Sequence, residues 1–190
     1  MIDLETFLRG LEQPEILPDR AVLITFDDGC KSISGAALTC LRRFEFPAVV
    51  FVPTDYIGKT NAFDAGIEPE EAICDWDDLK KLEAASVSIQ SHSASHRKFS
   101  TLDSAELEQE LLGSKATLEA SLPNSVTTIA FPFGDNGSDR VEKETLLKKA
   151  GYRAAFLYGG GPVDPCKLNR YSVPRIAMGP DTDLRAVLRT

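Results

Sequence analysis

Histidine is almost missing from this 190-residue chain, which has two, and tryptophan occurs once. A basic surface is missing as well. The formal net charge is -8 and no cluster of Lys and Arg interrupts the acidic balance, which argues against a nucleic-acid partner, since such proteins neutralise phosphates with clustered cations. A neutral or cationic small ligand, or a sugar polymer, suits that charge better. No apolar run approaches the roughly 20 residues of a membrane span. The four cysteines, Cys30, Cys40, Cys74 and Cys166, contain no Cys-x-x-Cys pair, which speaks against a zinc knuckle or a disulfide framework. They read as core thiols of a reducing compartment. The opening MIDLETFLRGLEQPE is acidic and amphipathic, without the basic start and apolar centre of a secretory signal. The cytoplasm, or export of a parent chain whose signal has been removed, is the expected location.

What is present is a chain of one domain, residues 1–190, with 43% hydrophobic residues and no internal repeat. Strand-like and helical patterns alternate along it, which predicts an α/β fold with a largely parallel sheet. RAVLITF (20–26), PAVVFVP (47–53), the strand-like run that opens SVSIQSHSASH (86–96), VTTIAFPFG (126–134, broken by Pro132 and Gly134) and YRAAFLY (152–158) read as strands. Helices are expected near 33–44, over 75–85, after an Asp103 or Ser104 cap, over 139–150, and from Asp181. The run GGGP (159–162) lacks the strand and helix context of a phosphate cradle and reads as a flexible connection.

The first strand ends in Asp27, Asp28 and Gly29. Two short acids and a glycine are ordinary turn chemistry. Adjacent carboxylates become favourable in another way when a divalent cation sits beside them. The two histidines, His92 and His96, stand four apart in SHSASH, where one helical turn would set both imidazoles on one side. One carboxylate with two imidazoles makes a facial site for zinc or another first-row divalent ion, with open positions for water and substrate. The second carboxylate is then left to act as a base.

Thr25-Phe26-Asp27-Asp28-Gly29 and Ser91-His92-Ser93-Ala94-Ser95-His96 resemble the first two motifs of the polysaccharide deacetylases, the NodB homology domain of carbohydrate esterase family 4. FPAVVFVPTDYIG is similar to that family's second strand. Asp75-Trp76-Asp77-Asp78-Leu79 is similar to its tryptophan-led helix. Ala130-Phe131-Pro132-Phe133-Gly134 resembles the third motif in its aromatic-Pro-aromatic-Gly form, found in a branch that includes poly-N-acetylglucosamine deacetylases. The resemblance runs from about Arg20 to Arg175. It implies a distorted (β/α)7 barrel, TIM-barrel-like, and an acetylated saccharide as substrate. It implies Asp27 as general base, and Asp28, His92 and His96 as ligands of a divalent ion: Zn2+ first, with Co2+, Ni2+ or Fe2+ as alternatives. It further implies the backbone N–H of Phe133 as oxyanion donor, and activity that falls in acid, because the ligand imidazoles must be neutral. Asp55, Tyr56, Trp76, Phe131 and Phe133 are the candidate substrate contacts, with Trp76 able either to stack on a sugar or to cover the barrel end. No feature of the sequence fixes an oligomeric state.

Three departures stand against that pattern. Ala130 occupies the place of the arginine that orients the catalytic acid, and the acid-Trp motif that partners that arginine is missing from 152–162. Arg175 in SVPRI is the candidate substitute. The last-motif histidine, which protonates the leaving amine, has no counterpart, since no third histidine exists. Asp27 returning its proton, water as acid, an O-acetyl ester or a non-sugar amide or imide as substrate, and a weak or inactive carbohydrate binder are the readings this leaves.

Overall fold

The computed structural model describes residues 1–179 and 181–187. Six parallel strands lie in the order of the chain: β1 (Ile24–Phe26), β2 (Ala48–Val52), β3 (Val87–Ser91), β4 (Thr128–Ala130), β5 (Ala154–Gly160) and β6 (Val173–Arg175). Each new strand is added beside the last, so the right-handed twist curls the sheet into a half-barrel. The distorted barrel is therefore present with six strands among the described residues.

Alternation along the strands sorts the core into two layers. Ala48, Val50, Val52, Val87, Ile89, Ile129 and Ala155 face outward. They meet the leucines of α2 (Ala36–Phe44), α3 (Trp76–Glu83), α4 (Ser104–Ser121) and α5 (Arg140–Lys149). Val49, Phe51, Ala130, Ala154, Phe156 and Val173 face inward and close on Leu4 and Leu8 of α1 (Leu4–Gly10). Strand β2 is covered on both faces, as a parallel strand should be. Helix α1 is started by Asp3, whose carboxylate accepts from the Thr6 N–H. It is tied to residues just before strands: Ile2 N–H donates to Val22 O, and Arg153 pairs with Glu5. It thus forms the floor at the amino ends of the strands and leaves the carboxyl ends as the mouth.

Each predicted strand and helix overlaps an observed element, although β4 stops at Ala130, ahead of a 3-10 turn over Pro132–Gly134, and β6 was not among the expected strands; two further differences bear on the site. Helix α4 has the expected Asp103 cap, reciprocated by Glu106, and its leucines at 107, 111 and 118 are buried. The glycine run is the first difference: β5 continues through Gly159 and Gly160 rather than ending at Tyr158. Gly160 sits at φ +122, in register with Arg175, and a Cβ there would stand 2.6 Å from the Pro174 side chain. Only glycine lets β6 approach that closely. The second difference concerns the histidines. Residues 92–96 form a loop after β3, not a helical turn, with Ser93 at φ 65 and His96 at φ 57. The final helix α6 spans Leu184–Val187, and residues 180 and 188–190 of the predicted end lie outside the described part.

Candidate metal centre and its base

Three strand ends supply the site. After β1 the chain turns through two left-handed residues, Asp28 at φ 65 and Gly29 at φ 67, with Gly29 N–H donating to Asp27 O at 2.8 Å. A Cβ on Gly29 would stand 3.1 Å from Val52, so this tight turn against β2 suits glycine. The turn separates the adjacent acids. Asp27 continues the inward set of Thr25, whereas Asp28 swings toward the loop after β3.

There, one oxygen of Asp28 (Oδ1) lies 3.3 Å from His92 Nε2 and 3.1 Å from His96 Nε2. The three ligand-type atoms lie within 4.8 Å of one another. Both imidazoles are buried, and Asp28 Oδ1 is a buried oxygen with no hydrogen-bond partner among the described residues. A cation at the point the three atoms face would satisfy that oxygen. One carboxylate oxygen and two imidazole nitrogens are the donors that zinc and its first-row neighbours take. The tautomer is already set for it: His92 Nδ1 lies 2.8 Å from Ala130 O, which can only accept, so Nδ1 carries the proton and Nε2 presents its lone pair.

The charges are consistent with this. Burial pushes the Asp28 carboxyl upward, but the contacts and charge of His92 and His96 outweigh it and hold the group well below the usual carboxylate range. Burial pushes His92 down, yet its contact with Asp28 and the charges of Asp27 and Asp28 leave it above the ordinary imidazole value. For His96 burial prevails and the shift is downward. Cys30, close to this turn, is a poor ligand: burial and neighbouring Glu71 push its thiol up to about 12. Cys74 is buried, but Cys40 and Cys166 are exposed, so not all four are core thiols.

Arg175 completes the arrangement. It ends β6 and reaches across the open edge of the sheet to β1, donating from Nη1 to Asp27 Oδ1 at 2.7 Å and from Nη2 to Asp27 Oδ2 at 2.6 Å. It also donates to Thr25 Oγ1 and Leu157 O. Its guanidinium lies over the Phe51 ring, so the partner of Asp27 rests on the inner core layer. The expected substitute for the arginine missing at residue 130 thus does contact Asp27, and Ala130 instead belongs to the inner core while its carbonyl holds His92.

The expected substrate contacts divide. Phe133 is at the rim: 44% exposed, at φ 58, with its ring 4.7 Å from that of His96. Tyr56 is half-buried and meets Phe63, and Asp55 is exposed beside the histidine loop, its N–H donating to Ala94 O. Phe131 is a correction. It is fully buried, turned outward by strand alternation against Phe99, and offers no surface to a ligand. Trp76 packs against the outer core at the start of α3. Phe63, which no motif marks, lies with its ring 4.0 Å from that of His96. Its only signal is an aromatic residue in an otherwise small and polar loop. Among the described residues, four of the seven non-glycine residues at positive φ, Asp28, Ser93, His96 and Phe133, belong to this mouth, so backbone strain is concentrated at the candidate site.

Comparison with known proteins bears on the lineage and the fold. The family profile described as Polysaccharide deacetylase matches residues 15–155. A poly-beta-1,6-N-acetyl-D-glucosamine N-deacetylase of Staphylococcus aureus is 27% identical over 167 residues, which are 86% of this chain and 56% of the relative. The chain therefore spans little more than half the length of that relative. Among solved structures, the Streptococcus pyogenes deacetylase PplD in complex with acetate superposes with a TM-score of 0.84 at 20% identity, covering 100% of this chain and 78% of that one. IcaB from Ammonifex degensii gives a TM-score of 0.79 at 20% identity, covering 100% of this chain and 82% of that one. The structural likenesses support the fold, and the profile supports the lineage: the chain belongs to the polysaccharide deacetylase family.

Proposed function

We propose that this protein is a metal-dependent N-deacetylase that removes acetyl groups from an amino-sugar polymer or glycan intermediate. The convergence of Asp28, His92 and His96 beside an Arg-clamped Asp27, at the open mouth of the barrel, carries the reading. A divalent ion held by those three ligands would polarise the acetyl carbonyl and lower the pKa of water from 15.7 toward about 7. Asp27 takes the proton from the attacking water, with Arg175 fixing both of its oxygens in one plane. The backbone N–H of Phe133 is assigned to the tetrahedral oxyanion. As the C–N bond breaks, the amine needs a proton, and with no third histidine Asp27 is the group assigned to return it. Water and amide then leave as acetate and free amine. The likeness to poly-N-acetylglucosamine deacetylases supports an N-acetylglucosamine polymer as the substrate class.

Acetate release from N-acetylglucosamine oligomers, by protein stripped of metals and reloaded with Zn2+ or Co2+, tests this. Release that depends on the added ion is expected. Oligomer binding without release would replace the enzyme with a carbohydrate binder, and release only from O-acetylated saccharides would change the bond that is cleaved.

Two further outcomes follow from the geometry. Arg175→Lys keeps the charge but loses the two-pronged grip, so kcat should fall up to about 10²-fold with KM little changed. A raised KM with kcat little changed would mean that Arg175 contacts substrate rather than the base. Zinc affinity should fall with acid, because the ligand imidazoles must be neutral and protons compete for them. His92, held above the usual imidazole value, meets that competition at a higher pH than an ordinary histidine. Asp28, held low, stays ionised throughout. Titration calorimetry between about pH 8 and 5.5 reads this, and an affinity that stays flat across the histidine range of about 6.5 would exclude imidazole ligands.

A further inference from the structure

We propose that Glu110 is the positioning residue of the metal centre: from α4 it sets the backbone of the loop that carries His96. This rests on the ligand assignment above. Glu110 lies on the buried stripe of α4, in line with Leu107, Leu111, Ser114 and Leu118, where a carboxylate is costly unless its oxygens are bonded. It faces the histidine loop. One oxygen accepts from both the Ala94 and the Ser95 N–H, each at 2.8 Å, and the other accepts from the Ser95 hydroxyl. Consecutive backbone N–H groups turned toward one point make an anion nest, and here the anion is the protein's own.

The rest of the loop is held by bonds that do not use the Ala94 or Ser95 N–H. On its far side, Ser93 O and Ala94 O accept from Thr54 and Asp55 N–H. Ser93 N–H donates to Ser91 Oγ, and Ser91 shares a 2.7 Å bond with Ser114 of α4. His92 follows β3 directly and is fixed by Val52 O through its N–H and by Ala130 O through its ring. His96 has neither strand nor ring bond: it stands at φ 57, its N–H donates to Ser93 Oγ, and its Nδ1 has no partner among the described residues. Its place relative to Asp28 therefore depends on how residues 94–95 are gripped: the Asp55 N–H holds Ala94 O on one side, and Glu110 is the side chain that holds both N–H groups on the other.

The chain's two histidines make the test direct. Long-range ¹H–¹⁵N spectra of the labelled, metal-free protein show both imidazoles and nothing else of that kind. In Glu110→Ala, the His96 signals should shift or broaden while those of His92 stay in place, and Zn2+ affinity should fall about 10- to 100-fold, as when a partner behind a ligand is removed. Glu110→Gln can still offer its oxygen to the two N–H groups and its amide to Ser95 Oγ, and should restore the His96 signals and bring affinity to within a few-fold of wild type. Ser95→Ala cuts one of the three bonds without touching α4, and should move His96 in the same direction by less. Unchanged His96 signals in Glu110→Ala, or equal disturbance of both histidines, would overturn the proposal. Should Glu110→Ala fail to fold, an undisturbed His96 in Ser95→Ala does the same. Failure of the metal reading looks different: imidazole signals of the wild type that ignore added Zn2+ at pH 7 remove the ion, while the metal-free spectra still decide what Glu110 does.

Discussion

Asp27→Asn is expected to lower kcat about 10²- to 10⁴-fold while leaving Zn2+ affinity within a few-fold of wild type. The asparagine oxygen can still accept one bond from Arg175, so the side chain stays in place. It cannot take a proton from water, and with no third histidine in the chain nothing nearby is assigned to replace it. The neutral side chain also removes the counter-charge of a guanidinium that is only 12% exposed, so a lower melting temperature should accompany the lost activity. Kinetics and binding must therefore be read below the variant's own transition. A variant that binds zinc and turns over at the wild-type rate would move the base elsewhere.

His92→Ala should do more. It removes a proposed ligand rather than the proposed base, so ion affinity is expected to fall beyond the roughly 100-fold that marks the loss of an outer partner. Activity should fall with it, and added zinc should not restore turnover. The substitution also opens a cavity at a residue 2% exposed and strips Ala130 O of its donor, a structural cost of about 1–3 kcal/mol. Far-ultraviolet circular dichroism separates the two effects, since a folded variant without zinc affinity is the expected product. Deacetylation that continues undiminished in that variant would end the case for an ion at this mouth.

Much of this site was legible in the chain because its residues are packed into short motifs. Thr25 to Gly29 declares a strand, a turn and two acids within five positions, and SHSASH contains both histidines. Their convergence follows from parallel strands, whose carboxyl ends share one mouth. The path of the histidine loop was not legible. Four-residue spacing suggests a helical turn, but Ser93 and His96 adopt left-handed backbone that tertiary bonds from Thr54, Asp55 and Glu110 impose. Phe131 shows another limit: an aromatic inside a motif suggests a sugar contact, but alternation after β4 buries it. The extension of β5 was hidden because a run of glycines signals a loop unless the close approach of Pro174 is known. Glu110 left a trace that periodicity alone could reveal, as one acid in an otherwise apolar and small-residue stripe. Arg175 had a weaker trace still, and its partner stands 148 positions away.

Arg175 also acts as a fastener. Strands β1 and β6 are the two free margins of the sheet, and the bonds that steady Asp27 are the ones that pin those margins together at the rim. Fraying of the carboxyl-terminal margin and disorientation of Asp27, the proposed proton acceptor, are thus a single local event rather than two. In this protein the durability of the rim and the readiness of the chemistry rise and fall together.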